Sequence, residues 1–445
     1  MNHIPLVPTL RVGTHVGRLC VPSREKTERD AERRLFPFPR GAWERGGGLL
    51  GFVAFFALWQ VSPIQAGDWP QFRGLGGTAV SDEKGLPTKW SVTENVRWKV
   101  GLPGGVSSPV VAGDRVYVTA ASAFRQRRLH VFSFDAATGE KKWERQLAAT
   151  GSTQCHPKTS MAAPTPVTDG RHVYALFATG DLAAFNREGD LLWYRALQRD
   201  YPDITNQVGM AASPVLAGDT LLLPLENAGD SFALGVDVKT GRNRWKAPRR
   251  REINWVTPTV MRFRGRTAAL FQTSGEITAY DTDSGEVLWS FKNNKLGSVP
   301  SPALVDDLII APGTPSIALR ILGNGNPEVV WTSRRLKAAY ASPVVYQGRI
   351  YAMTDIGIAC LDSATGEEIW RERLGHGFSA SPIIADGKLY IAKEEGDTSV
   401  VELGDKPKIL ANNDLKETLL ATPAIANGAI YLRTEKHLYC IAGKK

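Results

Sequence analysis

"DSATGEEIW", residues Asp362 to Trp370, is one of four near-copies of a single nine-residue stretch. The others are "DAATGEKKW" from Asp135, "DVKTGRNRW" from Asp237 and "DTDSGEVLW" from Asp281. An Asp carboxylate accepts backbone amides two residues on, and Gly takes positive φ at little cost. The D-x-x-T-G core therefore reads as a tight turn between two strands. The residue two before the Asp is always small: Ser133, Gly235, Ala279 or Cys360. A weaker copy, "AAFNREGDLLW", has Ala184 at that place and a turn one residue shorter. The small position predicts a shallow place in a neighbouring repeat unit that receives the indole. Trp143, Trp193, Trp245, Trp289, Trp331 and Trp370 would rivet one unit to the next, each burial worth roughly 2–3 kcal/mol.

A second signal surrounds the first. A small or polar residue, then Pro, then a β-branched run recurs at Pro109, Pro164, Pro214, Pro258, Pro302, Pro343, Pro382 and Pro423. Stretches such as "SPVVAGDRVYV" and "SPIIADGKLYI" read as hairpins of two short buried strands, with Pro at the strand start, where its missing N–H matters least. Four strands every ~45 residues is the signature of a propeller blade. The final copy, "HLYCIAGKK", stops before its fourth strand, while "NVRWKV" (Asn95 to Val100) is a fourth strand with nothing before it. The fold read from this pattern is all-β: an eight-bladed β-propeller of four-stranded blades, its ring closed by the N-terminal strand around Trp98. The blade after Pro382 departs from the pattern, with Glu402 for Asp and Leu410 for Trp. Cys360 and Cys440 share one repeat position and read as small buried residues. None of the twelve tryptophans is followed by Asp, which argues against WD40 repeats.

Residues 1–66 read as a targeting segment ahead of a single domain, 67–445. "LLGFVAFFALW" (Leu49 to Trp59) is uncharged and apolar, follows Arg40 and Arg45, and is succeeded by "VSPIQA" before Gly67. Eleven residues is short for a membrane span, which needs about 20, so the run reads as a signal segment for export to the periplasm or cell envelope. The formal charge of the whole chain is +9. Removing the nine Lys/Arg and five Asp/Glu of 1–66 leaves +5, too mild to point to nucleic acid. The four cysteines show no CxxC spacing and so no zinc or disulfide framework.

The small-x-D-x-x-T-G-x-x-x-W repeat resembles the tryptophan-docking motif of the pyrroloquinoline-quinone (PQQ) propellers, and "DWPQFRG" (Asp68 to Gly74) is similar to the start of many PQQ-like repeat proteins. The resemblance spans about 68–445 and implies one of two roles. The dehydrogenases of the family hold PQQ with calcium, a stacking Trp and often two adjacent cysteines, a pair this chain lacks. The non-enzyme branch, which includes BamB of the outer-membrane assembly machinery, implies a monomeric scaffold in a membrane-associated assembly. No Cys follows the apolar run, so that branch's lipid anchor does not carry over.

The residues themselves offer little chemistry. There is no HExxH, GxSxG, P-loop or GxGxxG, and His130, His156, His172, His376 and His437 are dispersed. Cys155-His156 lies in a polar loop and reads as a thiol–imidazole pair, as half a metal site, or as ordinary loop. In "PLENAGDSF" and "REINWVTP", Glu226, Asn227, Asp230 and Asn254 are oxygen donors and Trp255 is an aromatic plate. They could hold calcium and a quinone, or be a solvated turn and one more packing tryptophan. Charge gives a further signal. The segments linking each outer strand to the next blade are rich in cations: Arg249, Arg250 and Arg251, then Lys292 and Lys295, then Arg334, Arg335 and Lys337. On one face they would make a basic docking surface for an acidic protein or anionic polymer, or simply solvated loops. The sequence thus predicts a binding or assembly scaffold without catalysis or cofactor, and as the alternative a PQQ- and calcium-dependent alcohol or sugar dehydrogenase.

Overall fold

The computed structural model describes residues 65, 67–205, 208–323, 325–336 and 340–443, and the targeting segment read at 1–66 lies almost wholly outside them. Eight antiparallel sheets follow one another in the order of the chain. Blades 1 to 7 comprise residues 110–148, 167–196, 215–248, 259–292, 303–333, 344–373 and 383–414. Blade 8 joins Ala424–Ala426, Ala429–Arg433 and His437–Ile441 to the N-terminal strand Val96–Gly101. Trp98 stands opposite Cys440, so the two ends of the chain close the ring as the sequence predicts.

The turn that opens the repeat is built as its chemistry requires. Asp135 Oδ1 accepts the backbone N–H of Ala137 and Thr138 and the Thr138 hydroxyl, each at 3.0 Å. Gly139 then turns at φ +75°. The tryptophan differs from the expectation in one respect. The small residue faces the Trp of its own blade, not that of a neighbour: Ser133 pairs with Trp143, Gly235 with Trp245, Ala279 with Trp289 and Cys360 with Trp370. A β-bulge follows each pair, re-aiming the indole sideways. A larger residue opposite would block it, since a Cβ at Gly235 would lie 2.3 Å from Trp245 Nε1. Freed in this way, the indole reaches the turn of the next blade. Trp98 donates to Ala136 O, Trp143 to Arg187 O, Trp193 to Val238 O, Trp245 to Thr282 O and Trp331 to Ser363 O, at 2.7–3.0 Å. The ring rests on the glycine that ends that turn, from Gly139 under Trp98 to Gly366 under Trp331. Each copy of the motif thus receives a tryptophan from the blade before it, and all but the copy ending in Trp289 donate their own to the blade after it.

The proline signal also needs one correction. In the second copy the residue in register is Pro166, preceded by Thr165, and not Pro164. Every repeat proline then follows Ser or Thr, and the reason is a chain of hydrogen bonds from blade to blade. The N–H of Ser108 donates to Thr165 Oγ1, Thr165 to Ser213, Ser213 to Thr257, Thr257 to Ser301, Ser301 to Ser342, Ser342 to Ser381 and Ser381 to Thr422, at 2.9–3.1 Å. Cys360 and Cys440 are fully buried, and burial pushes their thiols up to about 11 and about 12, which leaves them inert.

The stretch "DWPQFRG" enters the ring from the end opposite the hydroxyl chain. Trp69 exchanges two backbone bonds of 2.8 Å with Val111, and Asp68 Oδ1 accepts Gly113 N–H at 2.8 Å. The buried Arg73 guanidinium donates to the carbonyls of Pro302 and Pro343 in blades 5 and 6. Val80–Ser81 then runs parallel to Ile384–Ala385, inside the innermost strand of blade 7. The segment works as a plug that ties together strands distant in sequence.

Candidate functional site

All eight crossovers converge on one central cup of about 300 Å³. Its wall is the hydroxyl chain from Ser108 to Thr422, and Phe72 lines it from the plug side. Because every crossover contributes to the same cup, the crossovers share one face. Sequence reading missed this wall, although the recurrent Ser/Thr before Pro was its signal.

Trp255 lines the cup, with its indole N–H committed to Gly209 O at 2.9 Å. At the rim, Lys158 of the second crossover reaches Glu394 of blade 7 at 2.8 Å. Cys155 and His156 do not engage each other. The thiol accepts from Gln126 Nε2 at 3.7 Å and is pushed up by burial, while His156 Nδ1 accepts from Lys158 N–H at 3.1 Å.

Of the donors predicted for calcium, the fold brings Glu226 and Asn254 together beside Trp255 and separates the other two. Asn227 is buried and spent on its own turn, accepting from Thr205 and Gly229 and donating to Leu225 and Asp230. Asp230 pairs with Lys246 at 2.8 Å. Glu226 itself faces a cation already supplied by the chain. Arg249 Nε donates to Glu226 Oε1 at 2.8 Å, and Asn254 donates its amide to Oε2. The rest of the guanidinium is bound to Glu276, Thr278, Tyr280 and the Phe271 carbonyl at 2.8–3.3 Å. Burial pushes the Glu226 carboxyl up, against the pull of Arg249. Calcium takes six to eight oxygen ligands. Here both oxygens of Glu226 are engaged, Asn227 and Asp230 are spent elsewhere, and only Asn254 Oδ1 is left buried without a partner, so these residues as arranged offer far too few free oxygens for the ion. Among the described residues no group of three or more His, Cys, Asp or Glu could hold a metal.

Arg249 is therefore a buried ion-pair residue, a correction to its place on the basic surface. The cause is the carboxylate of Glu226, which a sequence reading of the crossover cannot pair with it. Arg250 is exposed and pairs with Glu252 at 3.1 Å. Arg251, Lys292, Lys295, Arg334 and Arg335 are exposed and have no acidic partner among the described residues. Lys337 lies outside the described residues. Arg334 and Arg335 join Arg371 and Asp355 around a shallow hollow between blades 5 and 6.

Against known proteins, the family model described as outer membrane protein assembly factor BamB, a PQQ-type repeat, matches residues 57–248, 207–355, 275–406 and 355–442. The chain belongs to this PQQ-like repeat family. No curated protein matches it in sequence. Among solved structures, BamB from Moraxella catarrhalis superposes with a TM-score of 0.56 at 15% identity, over 78% of this chain and 98% of that one. A europium-containing methanol dehydrogenase gives 0.65 at 12% identity, over 85% of this chain and 98% of that one. The quinohemoprotein alcohol dehydrogenase of Comamonas testosteroni gives 0.64 at 12%, over 85% and 81%. At these identities the likeness is one of fold alone. The PQQ-like propeller is thus common to a scaffold and to enzymes, and function has to be argued from this chain's own residues.

Proposed function

We propose that this PQQ-like propeller is an exported scaffold that binds an acidic protein partner on its crossover face. The observation that carries the reading is the set of five exposed cations, Arg251, Lys292, Lys295, Arg334 and Arg335. They sit on three successive crossovers with no acidic partner among the described residues. Exposed charges left uncompensated on one sector attract an oppositely charged surface, and the attraction falls as salt screens it. The filled Glu226 site agrees with a role that needs no metal.

The test is binding of fluorescent poly-L-glutamate to the full-length chain, followed by anisotropy at rising salt. Wild type should bind and weaken with salt, and the triple charge reversal Arg251→Glu, Lys295→Glu, Arg335→Glu should lose most of the affinity. Binding that ignores both salt and the reversal would overturn the reading. The PQQ-dependent dehydrogenase keeps one observation in its favour, the position of Trp255 in the wall of the cup. Stoichiometric uptake of PQQ with calcium, accompanied by dye-linked alcohol oxidation, would establish it instead.

A further inference from the structure

Three side chains at the rim of blade 1 are not used by the scaffold reading. Ser122 ends the strand Arg115–Ser122, His130 lies in Arg128–Asp135, and Glu144 lies in Lys141–Ala148. Strand pairing sets Ala120 opposite His130 and Phe132 opposite Glu144, so the three residues meet across neighbouring strands. Ser122 Oγ stands 2.7 Å from His130 Nε2, and Glu144 Oε1 stands 2.9 Å from His130 Nδ1. A carboxylate can only accept, so Nδ1 carries the proton and Nε2 is left to accept from the serine hydroxyl. That is the tautomer a general base needs.

The surroundings hold this arrangement in place. Lys141 and Gln146 donate to Glu144 at 2.9 and 2.8 Å. Burial works to raise the Glu144 carboxyl, but these donors and His130 overcome it and hold the group at about 2, so it is ionised. The His130 ring is buried and stacked on Phe132, with 5.6 Å between centroids and planes 6° apart. Ser122, by contrast, is partly exposed.

The backbone after Ser122 supplies a second, independent observation. Ala123 sits at φ +65°, ψ −179°, a region nearly reserved for glycine and costing of order 1–3 kcal/mol. Arg125 and Gln126 also have positive φ, at 53° and 56°. The loop is pinned, because Gln126 Oε1 accepts Met161 N–H at 2.9 Å. Among the described residues, the N–H groups of Ala123 and Phe124 donate to nothing. A strained turn directly after a serine, with two unspent amides, combines the parts of a nucleophile and its oxyanion donors.

We propose that Ser122, His130 and Glu144 form a hydrolytic triad for carboxylic esters, with the amides of Ala123 and Phe124 as oxyanion donors. Ser122 Oγ bonds to the acyl carbon as its proton passes to His130 Nε2. The tetrahedral intermediate collapses, the ester C–O bond breaks, and the alcohol leaves with that proton. Water then gives a proton to His130 and adds its oxygen to the acyl carbon. The carboxylic acid departs and Ser122 recovers its hydrogen. Beside the site Phe124 is 77% exposed, with Arg125 over its ring at 5.3 Å, and Arg127 and Arg128 are also exposed. The substrate class they fit is a small ester that carries a negative group.

The experiment treats the full-length protein with a fluorophosphonate probe, maps the modified peptide by mass spectrometry, and follows 4-nitrophenyl acetate hydrolysis. The probe should modify Ser122. Turnover, assayed well below the melting temperature of each variant, should fall at least about 100-fold in Ser122→Ala and comparably in His130→Gln. A folded protein left unlabelled at Ser122, or an Ser122→Ala variant that turns over like wild type, would overturn the proposal. The three side chains would then be only a brace across three strands.

Discussion

Arg249 and Glu226 form an ion pair of 2.8 Å in which each side chain is only 1% exposed. A buried pair of this kind adds little over an apolar pair, yet breaking it from one side leaves a charge without solvent or partner. The guanidinium also engages a Glu226 oxygen that a divalent ion would need.

The first expected outcome concerns this pair. Arg249→Met should lower stability by about 3–5 kcal/mol, read from urea unfolding, because Glu226 is stranded in the core. Millimolar calcium should leave the wild-type melting temperature unchanged. A calcium-dependent rise in wild type would mean that the ion can displace the guanidinium.

Glycine in the repeat turn is tested by a matched pair of variants. Gly285 has φ +72° and a Cβ there would lie 2.5 Å from Trp245, whereas Gly265 has φ +79° with nothing within 4 Å. Alanine at either site incurs the left-handed backbone cost of about 1–2 kcal/mol. Only Gly285→Ala also displaces an indole, which adds about 1–3 kcal/mol. Equal urea midpoints for the two variants would show that the indole does not depend on this seat.

The fold was legible because its determinants are periodic. The Asp–Gly turn, the tryptophan and the proline recur at fixed spacing, and each acts on a near neighbour in the ring. That the tryptophan docks on a neighbouring blade was legible, but the part played by the small residue was not, because the bulge that lets it face the Trp of its own blade leaves no separate mark in the sequence. Function was harder still. Glu226 with Arg249 lie 23 residues apart, and Ser122, His130 and Glu144 lie on three strands. None of these forms a motif, since only the register of the sheets brings them together. Arg249 shows the hazard most plainly: three consecutive arginines read as one surface patch, yet the first is buried.

Acid should unfold the protein partly through Glu417. This residue of the last crossover accepts from Thr434, His437, Tyr439 and Lys99 at 2.6–3.3 Å. Burial alone would raise its carboxyl, but these donors overcome it and hold the group at about 2, against an ordinary value of 4.5. A depressed carboxylate contributes stability that is complete above the unfolded value and is lost as pH falls toward the folded one. The melting temperature of Glu417→Gln should therefore fall less steeply than wild type between pH 4.5 and about 2. Parallel curves would remove Glu417 from the acid transition.

The tryptophans of blades 3 and 4 give the sharpest comparison. Both are nearly buried, Trp245 at 8% and Trp289 at 6%. Trp245 donates to Thr282 O at 2.9 Å, in the D-x-x-S-G turn of the next blade. Trp289 faces a blade without that turn, and its Nε1 is buried with no partner. Replacing either by Phe removes a similar volume, so the packing losses nearly cancel. Trp245→Phe also strands a carbonyl, whereas Trp289→Phe deletes an unsatisfied donor. The first should therefore be less stable than the second by about 1–3 kcal/mol in urea unfolding. A reversed or vanishing difference would mean that the hydrogen bond to the next turn contributes nothing, and that the repeat holds its blades by packing alone.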